Sequence, residues 1–120
     1  MFSRIILYGR AHRANLAITE TLSKVAKLLK KLKLKVVADQ DTLDFFPNLK
    51  LPLIDRASMG QVGDIIIVVG GDGSMLSAAR LAIKVNVPVV GINRGRLGFL
   101  TDISPDDIQN QFKALLNGEF

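Results

Sequence analysis

An acidic residue inside a glycine-rich turn marks the place where this chain is expected to do chemistry. The turn is Gly-Gly-Asp-Gly-Ser at residues 70–74, and Asp72 is its acid. It follows the apolar run at 65–69, and helix-forming residues continue from Met75. Free N–H groups at a helix N-terminus bind phosphate, and a carboxylate among them is suited to accept a proton from a hydroxyl that attacks phosphate. The turn therefore predicts a phosphoryl-transfer site.

The same turn also has a purely structural interpretation. Asp72 or Ser74 would act as the N-cap of the following helix, and the glycines would supply positive φ for a sharp turn. The usual phosphate fingerprints do not decide the matter. No Gly-x-x-x-x-Gly-Lys-Ser/Thr sequence occurs, and Leu76 stands where the dinucleotide pattern requires its third glycine. The turn by itself leaves both interpretations open.

A second apolar segment, residues 87–92, leads into a polar loop at 93–102. Two apolar strands with a helix between them predict a βαβ unit, in which the strands are parallel. Parallel strands bring their carboxyl ends to the same edge of the sheet, which is where open α/β sheets bind ligands. The turn at 70–74 and the loop at 93–102 are therefore expected to lie side by side.

These two segments together resemble the NAD kinase family. Gly-Gly-Asp-Gly at 70–73 is also found in diacylglycerol and sphingosine kinases, and more loosely in phosphofructokinases. The block Gly-Ile-Asn-Arg-Gly-Arg-Leu-Gly-Phe-Leu-Thr-Asp at 91–102 is more diagnostic. The resemblance covers essentially the whole chain. It implies transfer of a phosphoryl group from ATP or inorganic polyphosphate to the 2′-hydroxyl of the adenosine ribose of NAD, with a divalent metal such as Mg²⁺.

The resemblance also implies a role for each residue of the turn. Asp72 matches the carboxylate that accepts the proton of the 2′-hydroxyl. Gly71 and Gly73 match glycines that bring the backbone close to the nucleotide, where a Cβ would clash. Ser74 stands where the family commonly has Thr or Asn, and it keeps a hydroxyl. All four are predicted to bind nucleotide, and Asp72 is the predicted catalytic residue.

The later block is expected to complete the adenosine side of the site. Leu97, Gly98 and Phe99 match the stretch that lines the adenosine pocket in the family. Asn93 belongs to the same nucleotide-binding block, with shaping of the loop as its first expected role. Further candidates for a phosphate contact lie on the loop after the first strand, namely Arg10 or Arg13 and, less plausibly, His12, although isolated loop residues of this kind are usually only solvated. Arg94 and Arg96, which flank Gly95 in the later block, are also candidates, with surface ion pairs or subunit contacts as the alternative.

Members of the family carry a second, mostly β domain with an Asn-Glu or Asn-Asp motif. Neither pair occurs in these 120 residues. Residues 1–120 are therefore interpreted as the N-terminal α/β nucleotide-binding domain alone, with a site that is half built and little or no turnover. The resemblance further suggests a homo-oligomer, a dimer or tetramer, for the longer protein.

The positive charge of the chain is concentrated in one segment. The formal net charge is +5, and lysines alternate with leucines at helical spacing between residues 22 and 35. A membrane-surface helix or a nucleic-acid patch would have this composition. An amphipathic helix that packs its leucines on a sheet would also have it, and is the favoured interpretation. We therefore expect neither a membrane nor a nucleic acid as partner.

The pattern along the chain predicts the fold class and compartment. Four predicted strands alternate with helices at 16–32, 75–82 and 104–116, with an irregular segment at 40–63; the strands are at 4–8, 35–39, 65–69 and 87–92. This alternation predicts an open, mainly parallel, Rossmann-like α/β sheet flanked by helices, and the resemblance implies that this is the N-terminal domain of the NAD kinase and diacylglycerol kinase-like fold. The chain has no cysteine and no apolar run of about 20 residues, and a cytoplasmic location is expected.

Two other function classes stay open at this point. A lipid kinase of the diacylglycerol kinase type would share the Gly-Gly-Asp-Gly turn and would use the basic helix at a membrane. A non-catalytic nucleotide-binding or oligomerisation module would use the turn without turnover. The block at 91–102 favours the NAD kinase interpretation over both.

Overall fold

The computed structural model describes residues 4–10, 16–61, 64–92 and 101–102. These residues build one parallel sheet with the strand order β2-β1-β3-β4-β5. Its strands are, in chain order, β1 (Arg4–Gly9), β2 (Lys35–Ala38), β3 (Asp64–Val69), β4 (Val89–Ile92) and β5 (Thr101–Asp102). The predicted parallel α/β sheet is therefore confirmed.

The prediction of four strands was incomplete, because residues 101–102 form a fifth strand. They were assigned to a loop, but they pair with Val90 and Gly91 of β4. A strand of two residues is too short for its side-chain pattern to be recognised. The pairing also keeps the end of the 91–102 block at the edge of β4.

Helices cover both faces of the sheet. The helices are α1 (Leu16–Lys31), α2 (Gln40–Phe45) and α3 (Asp72–Val85), and two short 3-10 turns span Pro47–Leu49 and Arg56–Ser58. On one face, buried Leu22 and Leu29 of α1 belong to the same core as Ile5 and Ile67. On the other face, α3 packs against alternate residues of β1 and β3. Lys24, Lys27 and Lys30 of α1 are exposed, so the interpretation of α1 as a sheet-covering helix is confirmed.

The connections from β1 and from β3 leave the sheet in opposite directions. The chain goes from β1 outward to β2 on one side, and from β3 outward to β4 on the other. Because each crossover in a parallel sheet is right-handed, α1 and α3 lie on opposite faces. A crevice then opens between the carboxyl ends of β1 and β3, which is the position where sheets of this order bind ligands.

The opposite, N-terminal edge of the sheet is closed by an ion pair. Arg4 donates from Nε and Nη2 to the two carboxylate oxygens of Asp64, each at 2.8 Å. The N–H groups of Gly60 and Gln61 donate to the same carboxylate at 3.0 and 3.1 Å. Burial raises the pKa of Asp64, but the hydrogen bonds and charge of Arg4 and the two N–H groups outweigh it. The pKa of Asp64 therefore lies below its ordinary value.

Candidate functional site

The turn between β3 and α3 needs glycine at Gly70. The φ angle of Gly70 is +154°, a conformation that residues with a Cβ rarely adopt. A Cβ there would also lie 2.7 Å from Oγ of Ser74. Gly70 is thus required by the backbone and the packing of the turn, independently of any ligand.

Gly71 and Gly73 are in a different situation. Apart from each glycine, its two chain neighbours and the backbone of the helix, no atom of the described residues lies within 4 Å of a Cβ built on either one, and neither has a positive φ. The packing of the described residues therefore leaves open space beside both glycines. A backbone with open space beside it allows a ligand to approach closely, so the predicted nucleotide contact at these glycines stays a prediction compatible with the geometry.

Asp72 is the first residue of α3, three residues before the predicted start of the helix. The helix begins earlier because Gly71 is its N-cap, and the Gly71 carbonyl accepts the first helical bond, from the N–H of Met75, at 3.0 Å. The alternative in which Asp72 or Ser74 caps the helix is wrong. Asp72 is exposed, and a carboxylate in the first turn is favoured by the positive end of the helix dipole.

Arg10 lies across the crevice from this turn. Ser74 Oγ donates to the Arg10 carbonyl oxygen at 3.5 Å, which links the ends of β1 and β3. The Arg10 guanidinium, however, is held by other groups: Nη2 donates to Asp39 at 2.6 Å and Nη1 donates to Thr42 Oγ1 at 2.7 Å. It also stacks 4.0 Å from the centre of the Tyr8 ring. The structure places Arg10 beside the turn with its charge already compensated.

The pKa of Asp39, the carboxylate that pairs with Arg10, is changed by its surroundings. Burial of Asp39 raises its pKa, but hydrogen bonds from Arg10 and Thr42 and the charge of Arg10 lower it by more. The pKa of Asp39 therefore lies below its ordinary value. Asp39 also caps α2, since its side chain accepts from the Thr42 N–H at 3.1 Å. This ion pair fixes the wall of the crevice on the β1 side.

A groove of about 280 Å³ begins at Gly73 and follows α3. Its floor includes Tyr8, which is 3% exposed and shares a hydrogen bond with the Ser77 hydroxyl. The residues that line it are Tyr8, Arg10, Arg56, Gly73, Leu76, Ser77, Arg80, Leu81 and Lys84. Sequence reasoning missed Arg56, Ser77, Arg80 and Lys84. The recurrence of 73, 76, 77, 80, 81 and 84 at helical spacing was the signal that would have placed the α3 residues on one face.

The remaining predicted site residues, Asn93, Leu97, Gly98 and Phe99, lie outside the described residues. So do the phosphate candidates His12, Arg13, Arg94 and Arg96 and the predicted helix at 104–116. The start of their block is described, and there Gly91 has a packing role. A Cβ on Gly91 would lie 2.5 Å from Sδ of Met75 on α3. Gly91 thus lets α3 approach β4 closely, which holds the β3–α3 turn next to the carboxyl end of β4.

The described part of the chain contains no group of three or more His, Cys, Asp or Glu side chains able to hold a metal ion. Mg²⁺ is commonly held by only one or two carboxylates together with substrate phosphates. Asp72 supplies one carboxylate at the turn, so the donor set fits a metal carried largely by a substrate.

Within the described ranges, no helix has the length and apolar character required to cross a bilayer.

The geometry defines a class of protein: an α/β domain with an acidic residue at a helix N-terminus beside its switch-point crevice, the position where open α/β sheets bind ligands. Residues 53–120, more than half of the chain, match the family model described as the ATP-NAD kinase N-terminal domain. The chain therefore belongs to the NAD kinase family, as the resemblance indicated.

Individual relatives agree with this assignment. The chain is 53% identical over 119 residues to an NAD kinase of Legionella pneumophila strain Corby and 44% identical over 119 residues to one of Chromohalobacter salexigens. Each alignment covers 99% of this chain and 40% of the relative. The chain thus spans less than half the length of these curated relatives.

A solved structure shows the same fold. The crystal structure of yeast NADH kinase in complex with NADH superposes with a TM-score of 0.76 at 15% sequence identity. The superposition covers 98% of this chain and 39% of the yeast chain. At that identity the likeness supports the fold alone.

Proposed function

We propose that this chain is the N-terminal, nucleotide-binding part of an enzyme that phosphorylates the 2′-hydroxyl of the adenosine ribose of NAD, giving NADP. ATP or inorganic polyphosphate is the phosphoryl donor. The observation that carries the proposal is the position of Asp72. Its carboxylate stands exposed at the first residue of α3, beside two glycines with open space, at the switch point of the sheet.

Positioning and electrostatics dominate phosphoryl transfer, and the protein does little covalent chemistry. Asp72 orients the ribose hydroxyl and accepts its proton as the hydroxyl oxygen attacks the terminal phosphorus of the donor. The backbone at Gly71 and Gly73 approaches the nucleotide without steric hindrance from a side chain. The helix N-terminus offers its free N–H groups to phosphate oxygens. Asn93, Leu97, Gly98 and Phe99 complete the adenosine side in this proposal.

A divalent metal, Mg²⁺ in the first instance, neutralises charge on the transferring phosphates when it is bound. Asp72 is the residue of the turn that would contact it, with substrate phosphates as the other ligands.

The site needs residues beyond this chain. Since the chain spans 40% of its relatives, the rest of the nucleotide pocket is proposed to come from a second, β-rich domain. The longer protein is proposed to be a cytoplasmic homo-oligomer, as the family resemblance implies. The isolated 120 residues are expected to show little or no NADP formation.

Substitution of Asp72 tests the catalytic assignment. In the longer natural chain, Asp72→Asn is expected to lower the rate of NADP formation from NAD, ATP and Mg²⁺ by about 10²- to 10⁴-fold, because the amide cannot accept the proton. Asp44→Asn is the matched control, since Asp44 is exposed on α2, where it accepts a hydrogen bond from the Gln40 side chain. Near-normal activity of Asp72→Asn would remove Asp72 from the mechanism.

A second comparison tests the division of the site. The 120-residue chain and the longer chain are assayed side by side for NADP formation. Activity in the longer chain alone is the expected result, and activity in neither chain, with both folded, contradicts the proposed function.

A further inference from the structure

Positively charged side chains line the groove along α3, and the mechanism proposed above gives them no role. Arg56, Arg80 and Lys84 are exposed. Within the described ranges, none of the three forms an ion pair, and no acidic residue lines the groove. The fourth cation, Arg10, is compensated by Asp39. The uncompensated positive charge of the groove therefore comes from Arg56, Arg80 and Lys84.

These cations are arranged so that they repel one another. Arg80 and Lys84 are four residues apart on one helix, a spacing at which like charges destabilise the helix. Arg56, from the 3-10 turn before β3, lines the same groove. An anion in the groove would remove this repulsion. Lys84 lies in the last turn, where a cation also favours the helix dipole, but that explanation does not extend to Arg80 or Arg56.

The groove is elongated and starts at the proposed reaction site. Its α3 lining runs from Gly73, next to Asp72, to Lys84. Eleven residues of α-helix rise about 16 Å, so the groove extends well beyond the turn. A linear anion that carries charge along its length and places one end at the turn would match this lining.

We propose that this groove binds the phosphoanhydride chain of the phosphoryl donor, with the transferred phosphate at Gly73 and the following phosphates along Arg80, Arg56 and Lys84. A triphosphate and an inorganic polyphosphate share this chemistry. The proposal rests on the proposed function for its ligand class, and it assigns the donor to the α3 side of the turn. Guanidinium groups suit such a ligand, because they donate paired hydrogen bonds to phosphate oxygens.

The test is a binding titration that requires no turnover. Sodium tripolyphosphate is titrated into the longer natural chain and into its Arg80→Gln, Arg56→Gln and Lys84→Gln variants, with calorimetry as the readout. Each arginine substitution is expected to weaken binding about ten-fold, since each removes charge-assisted hydrogen bonds. Lys27→Gln is the matched control for Lys84→Gln, because Lys27 is an exposed helical lysine on the opposite face of the sheet. Circular dichroism checks that each variant is folded.

Equal affinity of the wild type and all groove variants would overturn the proposal. So would a single-stranded oligothymidylate that binds as tightly and loses the same affinity in the same variants, because the groove would then be a general polyanion surface. Competition by ATP identifies a nucleotide triphosphate as the source of the chain. Displacement only by long-chain polyphosphate identifies the inorganic polymer, and either competition result supports the groove as the donor site.

The experiments distinguish failure of the proposed donor site from failure of the proposed function. If Asp72→Asn abolishes NADP formation while the groove variants bind tripolyphosphate normally, the reaction stands and the donor lies elsewhere. If the groove variants lose binding while Asp72→Asn remains active, the donor site stands and the role of Asp72 is wrong.

Discussion

Each of the two edges of the sheet, N-terminal and carboxyl, has an Arg–Asp ion pair, but the two pairs have different structural roles. At the N-terminal edge, Arg4 pairs with Asp64, and at the carboxyl edge, Arg10 pairs with Asp39. The Asp64 side chain is only 1% exposed, whereas the Asp39 side chain is 17% exposed. The first pair fills a closed edge, and the second forms one wall of an open crevice.

The glycines of the two edges differ in the same way. At the N-terminal edge, Gly60 has φ +95°, and a Cβ on it would lie 2.6 Å from the Val85 carbonyl oxygen. At the carboxyl edge, Gly71 and Gly73 have open space. The comparison teaches that residue type does not distinguish a structural position from a functional one. Structural and functional positions are distinguished instead by the open space around the residue and by whether its interactions are already satisfied within the protein.

The largest effect on folding is expected from the closed edge. Asp64→Ala removes the carboxylate that pairs with Arg4 and accepts from two N–H groups, and leaves Arg4 with the Ser58 carbonyl oxygen as acceptor. It is expected to lower the free energy of unfolding by about 3–5 kcal/mol. Asp39→Ala is expected to cost about 1–2 kcal/mol, chiefly through loss of the α2 cap. Urea unfolding of both variants measures the difference. An equal or larger loss for Asp39→Ala would break the distinction between the two edges.

Gly60 provides the next largest effect. Gly60→Ala is expected to destabilise the fold by about 1–3 kcal/mol, because the new Cβ meets a backbone carbonyl at a positive φ. The same urea titration measures it, with wild-type protein as reference. A neutral Gly60→Ala variant would show that the closed edge can rearrange.

The dependence of stability on pH tests the role of Asp64 at the closed edge. Because this pKa is lowered in the folded state, its contribution to stability is fully present above the ordinary carboxyl value of about 3.9. The contribution is lost as the pH falls through the lower, folded value. Urea midpoints measured at decreasing pH are expected to fall less steeply for Asp64→Asn than for wild type. Parallel pH profiles would contradict this role of Asp64.

The smallest effect on stability, and of opposite sign, is expected at the open edge. Gly73 lies within α3 with open space beside it, so Gly73→Ala is expected to stabilise the fold by about 0.4–1 kcal/mol. In the longer chain the same substitution is expected to lower NADP formation, because the methyl group occupies space proposed for the nucleotide. Thermal unfolding and the NADP assay are run on one preparation. Gly70→Ala, which strains the turn, is the destabilising control.

The order of strands and helices was predictable because it depends on local patterns. The apolar run at 65–69 proved to be β3 with all of its residues buried. Lysines and leucines at helical spacing proved to be part of α1 as far as Lys31, whereas Lys33 and Lys35 follow the helix. Residues 101–102 were missed because their strand exists only through pairing with β4. Helix α3 started earlier than predicted because Gly71, with no side chain to signal a cap, is the N-cap.

The candidate site was predictable only where its residues are adjacent in sequence. The turn at 70–74 could be recognised as one motif, and its Asp72 as the acid. The groove could not, because Arg56 and Arg80 come from segments separated by a whole strand and meet only when β3 and α3 pack. Arg10 was considered for a phosphate contact, but its compensation by Asp39 follows from the pairing of β1 with β2.

The sequence by itself determined the α/β class, the glycine-rich turn with Asp72, and the resemblance to the NAD kinase family. These depend on residue types and short spacings, which a linear pattern contains. The tertiary structure alone decided which face of the sheet each helix covers, where the crevice opens, and which charges stay uncompensated. Those properties depend on strand order and on contacts between residues far apart in the chain, since burial and compensation are set by neighbours in space.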